Sequence, residues 1–159
     1  MMKQIISILL LLITSYSYSQ GLNSETISLS NFLKRMYFTI PFEGVKVIDD
    51  YEHQYFISVV SLEKAKYNNA SIMNRVAQVK AQSQANIFFN GTITSTDLVI
   101  KTTEKKGNDS TSTIIETLET IKESSLGFTR GLELLINFDD SNIKRMVFIY
   151  YREIIDGKK

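Results

Sequence analysis

The stretch SIMNRVAQVKAQSQAN, residues 71–86, decides the fold class, because it carries a helical period in a chain whose flanking runs alternate with period two. Ile72, Val76, Val79 and Ser83 follow one stripe, and Met73, Ala77, Ala81 and Ala85 follow its neighbour. Arg75, Gln78, Lys80, Gln82 and Gln84 are left to face water. A helix with an Ala-lined half can approach a sheet closely, so this segment is expected to lie on strands. Ile87 to Phe89 continue out of the helix, and Asn90-Gly91 is a turn signal.

Upstream, residues 28–37 read as a short helix with Phe32, Leu33, Met36 and Tyr37 on one face, Ser28 or Ser30 as its cap and Pro41 as its stop. Residues 44–48, the pair Asp49-Asp50 and residues 51–62 read as a hairpin with an Asp-Asp turn. In its second strand Phe56, Ser58, Val60 and Leu62 point one way, and Tyr55, Ile57 and Val59 the other. Both faces are apolar at the centre, which predicts a helix over one and loops or a partner over the other. Downstream, residues 92–103 form a Thr- and Ile-rich strand region, and residues 105–110 a polar loop. Residues 113–125 fit helical spacing through Ile114, Ile115, Leu118 and Ile121, although their Thr and Ile density also suits a strand. Residues 127–138, a turn at residues 139–142 and residues 144–154 complete a final hairpin. Met146, Phe148 and Tyr150 there oppose Val147, Ile149 and Tyr151, so the last strand should be central.

These periods predict an α+β domain, a small and mostly antiparallel sheet with two or three helices packed on it. The 159 residues, 43% of them apolar, suffice for one core without metal or disulfide. The stretch from Arg75 through Tyr151 resembles the LPP-twenty-like family of bacterial envelope lipoproteins and flagellar-assembly domains. It shares their Ala-rich helix (residues 76–81), β region, Ser124-Ser125-Leu126-Gly127 and terminal hairpin ending in residues 147–151. The resemblance implies a curved sheet with helices against one face and a cell-envelope role without catalysis. The chain has no Cys, so it lacks the lipid attachment point of those lipoproteins.

The N-terminus reads as a secretory leader. Lys3 supplies a positive start, the apolar run from Ile5 to Ile13 follows, and Ser17-Tyr18-Ser19 places small residues where a signal peptidase cuts. Cleavage between Ser19 and Gln20 is expected, giving a signal peptide over residues 1–19 and one domain over residues 20–159. The run is too short for the roughly 20 residues of a transmembrane helix, and no later segment is apolar for longer. This leader resembles those of Bacteroidota, Gram-negative bacteria, which implies periplasmic or secreted delivery. Lys and Arg number 18 against 17 Asp and Glu, and the net charge of +1 lacks the basic excess that nucleic acid recruits.

Catalytic chemistry has little to work with. His53 is the sole histidine, and its setting between Glu52 and Gln54 reads as a strand residue near a sheet edge. Asp49-Asp50 and Asp139-Asp140 fall where turns are expected, and neither has EF-hand spacing. Gly127 to Gly131 lacks the Lys-Ser/Thr of a phosphate loop and reads as a strand entry. Asn69, Asn90 and Asn108 head N-glycosylation triplets, incidental in a bacterial protein. The ten rings among Tyr51, Tyr55, Phe56, Phe88, Phe89 and the C-terminal hairpin serve mainly as core, in a chain with no Trp.

The sequence therefore predicts a non-catalytic, envelope-associated module with no catalytic, cofactor or metal residues, which binds protein or assembles with itself. The competing reading is a small-molecule-binding or hydrolytic domain using Tyr, Asp and Glu.

Overall fold

Two antiparallel hairpins meet through their longest strands at the centre of one sheet. The computed structural model describes residues 24–50, 53–67, 69–91, 99–101 and 125–154. Their order is α1 (Ser24–Thr39), β1 (Gly44–Asp50), β2 (His53–Glu63), a 3-10 turn (Lys64–Lys66), α2 (Ala70–Asn90), β3 (Val99–Lys101), α3 (Ser125–Arg130), β4 (Glu133–Asp140) and β5 (Arg145–Glu153). The strands lie in the order β3-β1-β2-β5-β4. Four of them run antiparallel, and the three-residue β3 adds in parallel to β1. The predicted α+β class and mostly antiparallel sheet are thus present, with β5 central as expected.

Contacts divide the chain into two compact units, Met1–Arg35 and Met36–Lys159. The described part of the first is the beginning of α1, in which Ser30 Oγ donates to Ile27 O at 2.9 Å. The predicted cap at Ser28 or Ser30 is therefore displaced: both serines lie inside a helix that already runs from Ser24. It ends at Thr39, two residues past the expected Tyr37 and two before Pro41.

The second unit holds the sheet. α2 lies over one face, and Met73, Ala77, Ala81, Ala85 and Phe89 are its buried positions. They pack with Val47, Phe56, Val60, Leu62, Phe148 and Tyr150 from the strands. Of the two stripes in the sequence, the Ala stripe turns inward and the branched one mostly outward: Ile72, Val79 and Ile87 are 50%, 60% and 69% exposed, while Val76 packs against the edge of the core. The reason is steric. With methyl groups at the contact the helix backbone comes close enough for Ser58 Oγ, fully buried on β2, to approach Ala81 O at 3.3 Å and to donate to Gln84 Oε1 at 2.7 Å. Gln84, read from the sequence as facing water, is a sheet contact.

The helix also runs further than predicted. Asn69 caps it by accepting from Ile72 N at 2.8 Å, and residues 87–89 form its last turn. Phe89 thereby stacks on Phe56, with ring centroids 5.1 Å apart, and meets Phe128 of α3 edge-on at 5.3 Å.

The other face of the central strands is buried within the same chain. Ile48, Ile57, Val59, Val147 and Ile149 are fully buried, and Tyr37 and Phe38 pack on Phe138 at 5.5 and 5.3 Å. A second molecule is not required to cover these residues.

Both predicted Asp turns are strand instead. β1 and β2 stay paired to Asp50↔His53, and β4 and β5 to Asp140↔Arg145. Each ladder carries the acidic pair into the sheet, because a continuing row of backbone bonds outweighs an Asp side chain's own local bond. The tip of the first hairpin, residues 51–52, lies outside the described residues. The second turns through residues 141–144, with Lys144 at φ 55°. Residues 127–130, read as a strand entry, are the end of helix α3. The expectations for residues 1–23, 92–98 and 102–124, leader and ambiguous segment included, fall outside the described residues.

Candidate functional site

The sequence singled out His53 first, and the fold puts it at the end of the sheet. It is the first residue of β2, a central strand, so the sheet-edge reading is corrected to a sheet-end position. Its Nδ1 lies 2.8 Å from Glu153 Oε1, and its ring is 6.0 Å from that of Tyr55. Both partners are part-exposed, which fits a surface clip between β2 and β5. Among the described residues, no three of His, Asp, Glu or Cys gather with metal-binding geometry.

The Asp139-Asp140 pair splits across the strand. Asp139 Oδ2 takes a bond from Lys64 Nζ at 2.5 Å at the surface, whereas Asp140 is 5% exposed. Asp140 faces Arg145 across the ladder, and its Oδ1 has no hydrogen-bond partner among the described residues. Arg145 is committed elsewhere: it donates to Ser61 Oγ at 2.5 Å, Ser61 O at 2.6 Å and Glu43 Oε1 at 3.0 Å. Tyr37 completes this cluster. Burial pushes its phenol above the usual 10.0, a hydrogen bond with Ser61 opposes that, and the Asp140 charge adds to it. These groups hold one another and anchor the ends of β2 and β5.

The glycines of residues 127–131 also have a structural use. Arg152 Nη1 donates to Gly127 O at 2.9 Å and Phe128 O at 2.6 Å, and its guanidinium lies 4.6 Å from the centre of the Phe128 ring. It adds to the capping of carbonyls at the end of α3, where Phe128 O also accepts from Gly131 N at 3.1 Å. A Cβ on Gly131 would clash with that guanidinium, so glycine is what permits the approach. Asn69, which heads one glycosylation triplet, spends its side chain capping α2.

Among the described residues a cleft lies elsewhere, between the first half of α2 and the start of β4. Its volume is about 480 Å³. Asn74, Arg75 and Gln78 form the helix side, and Leu132 and Leu134 the strand side. Tyr150 is the floor. It is 4% exposed and donates to Asn74 O at 3.4 Å, which ties α2 to β5. Burial raises its phenol above the usual 10.0, so near neutral pH it is a protonated donor and not a base.

Electrostatically the cleft is set by Arg75, which is exposed and forms no ion pair among the described residues. Glu133 borders the cleft through its place in the chain, but strand alternation turns its carboxylate to the opposite face. There it faces Tyr151, whose phenol is raised by burial and by the Glu133 and Glu153 charges. Amide groups, a guanidinium and two leucines can recognise a polar, anionic and partly apolar group. They offer no nucleophile.

The cleft opens along β4, which among the described residues is the last strand of the sheet, pairs with β5 and shifts register between Leu134 and Ile136. Such a bulge bends an edge strand and re-aims its side chains. Leu134 is 44% exposed as a result of this position.

Of the cleft residues, sequence reasoning assigned Arg75 and Gln78 to water and Tyr150 to core, and gave no site. The signal that was present is the polar set Asn74, Arg75 and Gln78, which helical spacing puts on one side of α2. What lies opposite that face is a matter of topology, which local pattern does not encode. Set against protein-family models, curated proteins and solved structures, the chain finds no match in any of the three.

Proposed function

We propose that this chain is an exported, non-catalytic module of the cell envelope whose task is to bind another protein. The observation that carries the reading is the side of β4 that has no ladder partner among the described residues, beside the Arg75 cleft. Recognition there draws on strand backbone, amide side chains and one cation, the means by which proteins take up segments of other proteins. Export is supported by the leader pattern of residues 1–19, and an envelope role by the resemblance over residues 75–151. Among the described residues no helix is long and apolar enough to cross a membrane.

The sequence argument for a partner rested on strands apolar on both faces. That argument falls away, because both faces are buried within the chain, and the edge replaces it.

Two measurements test the reading in the native host. Intact mass of the protein recovered from periplasm and medium should show an N-terminus at Gln20. Photo-crosslinking from a residue placed at Leu134 should yield one defined protein adduct, absent when the same group is placed at exposed Lys66 in the 3-10 turn after β2. Met1 retained on cytosolic protein overturns the export half. Identical adducts from both positions, or none, overturn the binding half. A small molecule co-purifying in the cleft favours the competing ligand-binding reading.

A further inference from the structure

The identity of that segment can be narrowed, on the condition that the protein-binding reading holds. We propose that the occupant is an extended stretch of a different protein that adds as a strand to β4 and sets a Glu or Asp side chain on Arg75.

Three observations carry this. First, β4 ends the sheet, and from Glu133 to Ile136 its outer side has no ladder partner among the described residues. Backbone groups on such an edge are a template for one more strand. The opposite edge, β3, is three residues long and offers far less.

Second, the cleft lies alongside that edge and not away from it. Leu132 and Leu134 form one wall, and Asn74, Arg75 and Gln78 the other. A strand laid against β4 sends alternate side chains to the α2 side of the sheet. One of them enters a space of about 480 Å³, with apolar contact on the strand side and hydrogen-bond donors on the helix side. Added strands gain affinity from main-chain bonds and specificity from a pocket of this kind.

Third, charge selects the occupant. Among the described residues Arg75 is the charged side chain on the α2 wall of the cleft, Glu133 on the strand wall sits opposite Tyr151 in the ladder, and α2 as a whole carries Arg75 and Lys80 with no acidic residue. An incoming carboxylate is favoured there. The same reasoning disfavours a second copy of this chain. β4 reads ELLINFDD, with three acids and no base. Antiparallel self-pairing about its centre sets Glu133 against Asp140 of the second copy, and the symmetry repeats the clash. Like charges directly opposite are destabilising. The acidic end of β4, six residues beyond the cleft, is roughly 20 Å away at about 3.3 Å per residue, so it does not oppose a carboxylate at Arg75.

The experiment uses the processed chain, residues 20–159, and a displayed library of random ten-residue peptides. The enriched peptides should combine β-branched or aromatic residues with an invariant Glu or Asp. Binding of one such synthetic peptide should weaken roughly 10-fold or more in Arg75→Gln, and by a similar factor when its acid is changed to the amide. Lys80→Gln, the same charge change one turn along α2, should leave binding within about twofold.

Backbone N-methylation of the peptide supplies the second arm. Methyl groups at one alternate set of amides should abolish binding, and methyl groups at the other set should not. Amidating the peptide's C-terminus should have no effect, since the carboxylate is a side chain. No enriched peptide, equal loss from both N-methylated sets, equal effects of Arg75→Gln and Lys80→Gln, or dependence on a free C-terminus overturns the inference. A defined Leu134 crosslink that survives Arg75→Gln leaves the protein-binding reading standing while this one fails. Loss of that crosslink at every position removes both.

Discussion

Replacing Phe89 by Ala should take away a fifth or more of the stability of the domain. The ring is fully buried at the last turn of α2, stacked on Phe56 with an interplanar angle of 23° and set edge-on to Phe88 and Phe128 at 82° and 77°. Truncating such a side chain removes its transfer free energy and leaves a cavity that helix and sheet cannot both close. The cost is about 3–5 kcal/mol, against a total of about 5–15 kcal/mol for a domain. Phe89→Leu keeps most of the apolar volume and loses the ring pairs, at about 0.5–1.5 kcal/mol for each, so its cost should fall well below that of Ala. Val79→Ala, on the outward stripe at 60% exposure, should change stability by less than about 0.5 kcal/mol. Urea unfolding followed by far-UV circular dichroism suits a chain with no Trp. At a slope of about 2 kcal/mol/M the Ala variant should lose about 1.5–2.5 M in midpoint. A shift below about 0.5 M, or a Val79→Ala shift as large as that of Phe89→Ala, would mean that the wrong side of α2 has been assigned to the core.

Gly131→Ala should cost about 1–2 kcal/mol, because its Cβ displaces the Arg152 guanidinium from two carbonyls of α3 and from the Phe128 ring; a thermal melt unchanged to within a degree would count against it. Arg145→Met removes three hydrogen bonds and leaves buried Asp140 without the cation opposite it, so a loss of about 1–3 kcal/mol is expected, partly recovered in the double variant with Asp140→Asn. Alkaline titration followed by phenolate absorbance should show tyrosines ionising later in the folded chain than in urea. Tyr37, Tyr150 and Tyr151 are all raised from 10.0, chiefly by burial, so the folded state holds those protons more tightly. Their contribution is complete below pH 10 and is lost as pH rises through the higher folded values, so stability should fall on the alkaline side. Identical titrations in buffer and in urea would remove this account.

The class of fold was legible because period carries it. Residues 71–86 repeat at 3.6 and residues 53–62 and 145–153 at 2.0, and the structure keeps each in the form its period dictates. The end points were less legible. Asp49-Asp50 and Asp139-Asp140 have turn chemistry, yet each is held in a ladder by pairing with a distant strand, an interaction with no local signature. Residues 87–89 resemble strand by composition, and the packing of Phe89 against Phe56 and Phe128 keeps them helical. Which stripe of α2 turns inward was undecided by hydrophobicity, since the outward stripe is the more apolar. Size decided it: branched side chains at positions 77, 81 and 85 would hold the helix away from Ser58. The cleft was illegible for the same kind of reason, as Arg75 and Tyr150 are 75 residues apart and meet only through topology.

The placement of apolar residues also constrains how any partner can engage this chain. A partner that covered either face of the sheet would have to displace α2 or open the cluster of Ile57, Val59, Val147 and Ile149, all fully buried, at a cost comparable to unfolding. Among the surfaces that the second unit offers without such a cost, the side of β4 and the wall of α2 that faces it combine backbone groups with a cation, which the exposed Ile72, Val79 and Ile87 of α2 do not. Leu134 gives contact there, and the bulge beside it shortens the regular stretch of edge, so that indiscriminate strand addition is limited and a segment must also satisfy the cleft. Affinity from the backbone and selectivity from Arg75 are then separable quantities. Loss of the cation should lower discrimination among peptides more than it lowers their average binding, whereas a purely electrostatic patch would lose both in equal measure.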